Sequence, residues 1–396
     1  MHPASHPARG PRPLVRALRL ATVLGLVGLL VLTLPPATSR ADTITVTTLA
    51  DSGAGSLRAA IGAANASSGP DTITFSVTGT ITVSRFELSV SAGAVTIQGP
   101  DGGITIDGGK AVNLFHVTDS AVQITIEGLT LANGRRPGGT PGGAIRNDGG
   151  TVTLTNSTVT DNEATAVYTN GGTLTITGST FTNNRAIGDE NGGAIRNDGG
   201  TLTIKGSTFT NNQAPGDASL HVLNADGGAI YNDTGDLTIT DSTFSNNQAR
   251  DNGGAIYSNG QSDTVLTMSG NTFSKNRSTK DNGGAIYHAG GRFDLTTSTF
   301  DSNAAYDWGG AIYSYFGTLN LSASTFVNNT SGGYGGALYS DGGVLDIINS
   351  TFNANQADGG YGGGAIYRDG HDVDAATIKN STLAGNQSGN QAALVI

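Results

Sequence analysis

The feature that most constrains how this chain can fold is a pair of short signatures that recur together along it. The first signature, GGAI or GGAL, begins at Gly142, Gly192, Gly227, Gly253, Gly283, Gly309, Gly335 and Gly363. A degenerate copy occupies residues 165–168, and the stretch GGAIRNDGGT is identical at positions 142 and 192. Such repetition predicts an elongated stack of similar units, a solenoid, rather than one globular core.

The second signature, S-T-F-x-x-N or a close variant, follows the first in all nine units. Its asparagines are Asn162, Asn184, Asn212, Asn247, Asn276, Asn303, Asn329, Asn355 and Asn386. The alanine of the first signature precedes the apolar residue of the second by 15 residues in seven units and by 18 in two. The distance onward to the next unit's alanine varies from 7 to 20 residues. A fixed arc followed by a variable one is typical of solenoid coils.

The fixed arc is predicted to hold short β-strands. Segments such as T-L-T-I-T at residues 173–177 alternate polar and apolar residues with a period of two, which is typical of half-buried strands. Corners such as N-D-G-G supply residues that tolerate positive φ, and 60 glycines with only 36% hydrophobic residues suit a thin, turn-rich core. We therefore expect an all-β, single-stranded parallel β-helix of roughly 10–12 coils, with neighbouring strands about 4.8 Å apart.

The asparagines of the second signature would form one column along such a helix. An aligned ladder of buried side-chain amides can satisfy itself by hydrogen bonding along the axis. We therefore predict a structural ladder at these nine positions rather than a row of ligand-binding groups.

The N-terminal part of the chain differs from the repeats. Residues 1–41 resemble a signal peptide, with a basic start, a fourteen-residue apolar run and an S-R-A cleavage site. The apolar run is shorter than the ~20 residues that span a bilayer, and no later segment could span one as a helix. Residues 42–70 are expected to form a cap with a short helix that buries Leu57, Ala60, Ile61 and Ala64. Residues 71–396 would form the β-helix, with regular coils over 142–390.

Charge and cysteine content narrow the classes of partner. Removing residues 1–41 removes five of the 21 basic residues and none of the 31 acidic ones, which leaves a formal charge of −15. An acidic exported protein is a poor candidate for binding nucleic acid or an anionic surface. With no cysteine, the chain has no disulfide and no thiolate metal site.

The residue after the first signature is the main candidate for binding. It is Arg146 and Arg196 in two units and tyrosine in the others, and burying two unpaired arginines would cost several kcal/mol, so the column should face outward. Tyr231, Tyr257, Tyr287, Tyr313, Tyr339 and Tyr367, with the neighbouring Trp308, could stack against sugar rings or a partner protein. The alternative is that the rings stack only on one another.

Two aspartate columns are candidates for other chemistry. Asp251, Asp281 and Asp307 lie four residues before the alanine in three successive units, where mutual repulsion could be relieved by Ca²⁺ or by nearby basic side chains. The corner aspartates are Asp148, Asp198, Asp233, Asp341 and Asp369. Pairs of them in successive coils could lie at about the carboxylate separation of a retaining glycosidase, although aspartate is also favoured in such turns for backbone reasons. We assign no catalytic residue and no required cofactor.

The alternation of GGAI and F-x-x-N resembles the repeat of polymorphic outer membrane proteins over roughly residues 135–390. The segment V-T-T-L-A-D-S-G-A-G-S-L-R-A-A-I-G-A-A-N resembles a CSLREA-type N-terminal segment, with Gly55 in place of the cysteine. The resemblance implies a right-handed parallel β-helix at the cell surface or secreted, often linked to adhesion.

Three functions remain open from the sequence. The first is a non-enzymatic surface or secreted protein that presents an extended face to a glycan or protein. The second is a polysaccharide lyase or glycoside hydrolase on a pectate-lyase-like β-helix, and the third is a structural component of an envelope or matrix. The first is preferred because no column combines an acid, a base and an arginine.

Overall fold

A computed structural model of the chain describes residues 41–135, 141–188, 190–216, 225–260, 264–360, 362–370, 375–389 and 392–396. It confirms a nearly all-β parallel solenoid of about 12 turns, and the described residues form one compact unit. Residues 1–40, which hold nearly all of the expected signal peptide, lie outside the described residues, as does 217–224 in the longest variable arc. Within the described ranges, no helix is long and apolar enough to cross a membrane.

Each turn adds one strand to each of three long parallel sheets, A, B and C, and the later turns add a two-residue strand to a fourth sheet, D. Sheet A contains Thr43–Val46, Asp71–Phe75, Ala94–Gln98, Gln123–Glu127, Thr151–Thr155, Thr173–Thr177, Thr201–Lys205, Leu237–Thr240, Val265–Ser269, Arg292–Thr296, Thr318–Ser322, Val344–Ile348 and Ala376–Lys379. Sheet B contains Gly79–Thr82, Ile104–Asp107, Leu129–Ala132, Thr158–Thr160, Thr180–Thr182, Thr208–Thr210, Thr243–Ser245, Thr272–Ser274, Thr299–Asp301, Thr325–Val327, Thr351–Asn353 and Thr382–Ala384.

Sheet C, which carries the tyrosines, contains Leu88–Val90, Phe115–Val117, Ile145–Asn147, Val167–Asn170, Ile195–Asp198, Ile230–Asp233, Ile256–Asn259, Ile286–Ala289, Ile312–Tyr315, Leu338–Asp341, Ile366–Asp369 and Leu394–Val395. Sheet D contains Gln213–Ala214, Gln248–Ala249, Arg277–Ser278, Ala304–Ala305, Thr330–Ser331, Gln356–Ala357 and Gln387–Ser388. All of these strands pair in register with the equivalent strand one turn along, so each repeat position becomes a column.

The core is a set of apolar columns inside the coil. The isoleucine or leucine after GGA is fully buried in each of the eight copies, as are the phenylalanines of the second signature. From Phe181 to Phe352 the rings stack in sequence, with centroids 4.7–4.9 Å apart. The ring spacing equals the strand spacing, so one side chain per turn fills the core continuously.

In the part of the chain that the structure describes, one helix, α1 (Leu57–Ala66), precedes the regular turns. The Ser56 side chain caps it by accepting a hydrogen bond from the backbone N–H of Ala59 at 3.2 Å. The helix buries the four residues expected from the sequence and packs on the first strands of sheets A and C. It therefore covers core residues that the first turn would otherwise expose.

The nine asparagines of the second signature form a hydrogen-bonded ladder. In a typical step, the Nδ2 of Asn247 donates to the Oδ1 of Asn276 at 3.0 Å, and so does the backbone N–H of Asn247. The same Nδ2 also donates to the backbone carbonyl of Phe209 at 3.0 Å. The pattern recurs from Asn162 to Asn386, so the buried amides bond to one another and to the backbone.

Two further polar ladders were not anticipated from the sequence. At the corner between sheets A and B, the backbone N–H of each turn's serine donates to the serine Oγ of the next turn, from Ser157 to Ser207 and again from Ser298 to Ser350. Before the GGA signature, side-chain oxygens of Asn191, Asp226 and Asn282 accept backbone N–H groups of the following turn. The sequence features that could have indicated these ladders are the serine of S-T-F and the residue before GGA. Both resemble ordinary turn residues, so neither was distinctive.

The inward polar column of sheet C contains one ionisable imidazole. His288 is 1% exposed, lies between Ser258 and Ser314 in register, and its ring centroid is 5.3 Å from that of Phe293. Burial lowers the pKa of His288 to about 4 from an ordinary value of 6.5. The ring is therefore neutral in the folded protein.

Protonation of His288 should therefore destabilise the folded protein as the pH decreases. Between pH 6.5 and about 4 the unfolded chain binds a proton that the folded chain does not, so stability is lost as the pH decreases, by about 3 kcal/mol in total. The variant His288→Ser carries the residue found at the equivalent position of both adjacent turns, Ser258 and Ser314. Its stability should lack the part of the pH dependence that His288 contributes. Denaturant titrations of both proteins at each pH test this, and the comparison cancels carboxyl groups that titrate in both. Parallel pH profiles would contradict the prediction.

Candidate functional site

The outward column of sheet C is the most distinctive surface of the described residues. Register places these side chains in one row: Ser89, His116, Arg146, Tyr168, Arg196, Tyr231, Tyr257, Tyr287, Tyr313, Tyr339 and Tyr367. They alternate with fully buried neighbours along each strand, so the row lies on the outside of the coil. We call the six residues from Tyr231 to Tyr367 the tyrosine column.

The rings of the tyrosine column stack on one another along the helix axis. Successive centroids are 4.9–5.3 Å apart and the ring planes differ by 3–11°. Each inner ring therefore has both faces covered, and Tyr313 and Tyr339 are only 4% and 3% exposed. Tyr231, Tyr257, Tyr287 and Tyr367 are partly exposed, and because ring faces are covered along the column, sugar rings cannot stack along its length as they would on isolated tyrosines.

A second, shorter aromatic row lies beside the C-terminal half of the column. The centroid of Trp308 is 5.1 Å from that of Tyr339 and 6.3 Å from that of Tyr334. Tyr334 in turn lies 4.9 Å from Tyr367. Trp308 occupies the position before GGA that is asparagine in the two preceding turns. The sequence placed Trp308 beside the candidate binding tyrosines, but it did not indicate that Tyr334 stacks between Trp308 and Tyr367.

The phenol groups of the column are protonated donors at neutral pH. Burial raises the pKa of Tyr231 to about 12, with a further contribution from Asp233 and Asp226. Burial likewise raises the pKa of Tyr257, Tyr287, Tyr313 and Tyr339. Neighbouring carboxylates also disfavour a phenolate, because like charges repel.

The corner aspartates flank this row, and Asp148, Asp198 and Asp341 accept hydrogen bonds from its side chains. The Nε–H of Arg196 donates to Asp198 and is shared between the two carboxylate oxygens, at 3.0 and 3.1 Å. Asp341 accepts one from the hydroxyl of Tyr313 at 3.1 Å. Register pairs Asp198 with Asp233 and Asp341 with Asp369 in successive turns. Asp198 and Asp341 therefore have hydrogen-bond partners on this face of the solenoid.

The aspartate column that is a candidate for Ca²⁺ is aligned in successive turns, with Asp226 as a fourth carboxyl nearby. Asp251 accepts a hydrogen bond from the backbone N–H of Ala225 at 3.0 Å, and burial raises its pKa. Burial, followed by the charges of Asp307 and Asp251, raises the pKa of Asp281. Burial also raises the pKa of Asp226 to about 6, with Asp251 and Asp281 adding to the shift.

These carboxyls do not converge on one point. In the described ranges, no group of three or more His, Cys, Asp or Glu side chains is placed to hold a metal ion. The Ca²⁺ site at Asp251, Asp281 and Asp307 therefore stays a prediction without geometric support from these residues.

The N-terminal end of the same row carries a cluster that the sequence did not reveal. The Nδ1 of His116 lies 2.9 Å from a Glu87 oxygen, and its Nε2 lies 2.8 Å from an Asp148 oxygen. The Nε of Arg146 also donates to Asp148 at 3.0 Å. Although burial raises the pKa of Asp148, hydrogen bonds from His116 and Arg146 and their charges bring it below its ordinary value. These contacts join three turns, and an open cleft of about 420 Å³ lies beside Glu87.

Comparisons with known proteins agree with this architecture. Residues 112–300 match the family model described as "Right handed beta helix region". Residues 297–315 and 323–341 match the "Chlamydia polymorphic membrane protein (Chlamydia_PMP) repeat", as the sequence resemblance predicted. No curated protein matches the sequence.

One similar solved structure is "Geobacillus virus E2 - ORF18", at 13% identity and a TM-score of 0.33. The similarity covers 86% of this chain and 61% of that one. The chain therefore spans less than two thirds of the length of that protein.

Proposed function

We propose that this chain is an exported protein of the cell surface or outer membrane that binds a neutral glycan chain along sheet C without cleaving it. The observation that carries the proposal is the tyrosine column, which repeats one hydrogen-bonding group per turn over six successive turns. The polymorphic membrane protein repeat supports the location.

The geometry favours binding by ring edges. Because the faces of the inner rings are covered, the groups available to a ligand are phenol hydroxyls and the carboxylates beside them. Protonated phenols donate and carboxylates accept, which suits the hydroxyl groups of a sugar chain. An anionic chain would be repelled by Asp233, Asp341 and Asp369, so a neutral glycan fits this face better.

A row of equivalent groups also favours an extended ligand. Neighbouring hydroxyls lie about one strand spacing apart, ~4.8 Å. Each contact is weak, but a ligand held at several turns gains from the high effective concentration of the remaining contacts. The solenoid keeps the row in place through its backbone ladders, so little ordering is required on binding.

Removing hydroxyls without disturbing the stack tests the proposal. A glycan array identifies a ligand, and calorimetry then compares wild type with the triple variant Tyr231→Phe, Tyr257→Phe, Tyr287→Phe. We expect the Kd to increase about tenfold or more, because three hydrogen bonds are lost while ring stacking remains. Tyr306→Phe, at a 58% exposed tyrosine outside the column, is the matched control and should bind like wild type.

Three results would overturn the proposal. An unchanged Kd in the triple variant would place binding elsewhere, and no binding to any glycan would leave a protein partner or a structural role. Appearance of new reducing ends during the binding assay would replace it by the lyase or hydrolase alternative.

A further inference from the structure

The cleft at the N-terminal end of sheet C has the features of a binding site for a small ligand. Its volume is about 420 Å³, and its walls include Phe86 and Glu87 from one turn and Val112 and Asn113 from the next. A smaller depression of about 270 Å³ shares Glu87 with it and extends along α1. Concave sites of this size, with apolar walls and a few fixed polar groups, are typical of small-ligand binding.

Phe86 is the most exposed large apolar side chain of the described residues, at 75%. The backbone that carries it is held in place, because Arg58 donates to the carbonyls of Phe86 and Glu87 at 2.6 and 2.9 Å. Arg58 is itself bound to Asp51 at 2.8 Å, and Asp51 accepts the backbone N–H of Ser84 at 3.1 Å. The ring is therefore presented on a fixed loop, where a ligand that covers it would remove apolar surface from water.

The ring of Phe86 differs from those of the tyrosine column in being open to a ligand. Within the described ranges it stacks on no other ring, whereas the inner tyrosines are covered on both faces. The face of an aromatic ring carries partial negative charge. It therefore attracts the weakly positive C–H groups that line one face of many sugar rings.

Glu87 supplies the cleft with a carboxylate whose orientation is fixed. Its Oε2 accepts a hydrogen bond from the Nδ2 of Asn113 at 2.6 Å, and its Oε1 lies 2.9 Å from the Nδ1 of His116. The side chain is nevertheless 24% exposed. A carboxylate has about four acceptor sites, more than these two contacts use. Glu87 can therefore accept ligand hydroxyls without reorienting, which keeps the ordering cost of binding small.

The charges around the cleft favour a neutral ligand. Arg85 is an exposed residue of the cleft wall, and its guanidinium has no hydrogen-bond or ion-pair partner in the described part of the chain. A cationic ligand would be opposed by Arg85 and an anionic one by Glu87. A wholly apolar ligand would remove water from both charges without replacing its hydrogen bonds. The ligand that suits the cleft is therefore uncharged, with one apolar face and several hydroxyls.

We propose that the cleft binds a single neutral pyranose sugar. The C–H groups of one sugar face pack on Phe86, two hydroxyls donate to Glu87, and Arg85 donates to a further sugar oxygen. Strand register places Ser89, beside the cleft, five turns before Tyr231. The inference therefore concerns a different surface from the tyrosine column, and it does not depend on the function of that column.

The test uses the methyl glycosides of glucose, galactose and mannose as probes, with binding followed by saturation-transfer NMR. Phe86→Ala removes the aromatic ring, and circular dichroism melts establish that the variant is folded. Phe316→Ala, at a phenylalanine that is 42% exposed in a later turn, is the matched control. We expect at least one glycoside to receive saturation from wild type and from Phe316→Ala, and none to receive it from Phe86→Ala. The triple tyrosine variant should behave like wild type, which separates this site from the tyrosine column.

Three outcomes would overturn the inference. The first is the absence of saturation transfer from wild type to every neutral glycoside. The second is equal transfer from wild type and Phe86→Ala, which would place the sugar elsewhere. The third is stronger transfer to cyclohexanol or to methyl glucuronide than to the neutral glycosides, which would assign the cleft to an apolar or an anionic ligand instead.

Discussion

Replacing Gly254 by alanine is expected to lower the free energy of unfolding by about 3 kcal/mol. Gly254 is the second glycine of a GGAI signature, and a Cβ atom there would overlap the backbone of Gly284 and Arg277 in the following turn. Both obstacles are main-chain atoms held by inter-turn hydrogen bonds, so neither can rotate away. Denaturant titration followed by far-UV circular dichroism measures the loss.

The control is a glycine whose Cβ would meet nothing. Gly62 lies on the exposed side of α1, with no atom within 4 Å of an added Cβ. Gly62→Ala should leave stability unchanged or increase it by up to about 1 kcal/mol, because alanine is the better helix former. Equal losses at the two positions would show that close approach between turns is not the reason for the second glycine.

Loss of one rung of the asparagine ladder should have an effect of similar size. Asn276→Ala removes the acceptor for the backbone N–H of Asn247 and leaves a cavity in the core. It also removes the Nδ2 donor to the carbonyl of Phe244. A buried donor without a partner costs about 1–3 kcal/mol, so we expect a total loss of about 3 kcal/mol in the same titration.

An exposed asparagine separates this effect from a general intolerance of substitution. Asn353 lies at an outward position of sheet B, and its replacement by alanine should change stability by less than about 0.5 kcal/mol. If Asn276→Ala were as mild as Asn353→Ala, the ladder would contribute little, and water entering the cavity would be the simplest explanation.

Much of the fold was predictable because each repeat forms one turn, so the residue pattern of a single repeat also describes the columns along the whole solenoid. The period of two in T-L-T-I-T assigned strands, and the constant distance between the two signatures assigned one coil to each unit. The outward direction of the tyrosines followed from the presence of Arg146 and Arg196 in the same column. The inward direction of the asparagines followed from their regular spacing after the buried phenylalanines.

The candidate site was less predictable, since its chemistry depends on contacts between turns. The sequence placed the tyrosines in one row but left open whether their faces were available, and the observed stacking covers them. His116 meets Glu87 and Asp148 across 29 and 32 residues, over connections whose lengths follow no repeat. Nothing in the local pattern of those residues indicated the contact.

The sequence by itself therefore determined the coil, the identity of its columns and the side of the strand on which each column lies. Only the tertiary structure decided how neighbours within a column meet: ring on ring along sheet C, and backbone N–H to serine Oγ at the corner between sheets A and B. The side of the strand on which a residue lies is encoded by the alternation of polar and apolar neighbours, which is a local property of the sequence. Side-chain contact between turns depends on rotamers and on the register of segments some 22 to 35 residues apart, which packing alone selects.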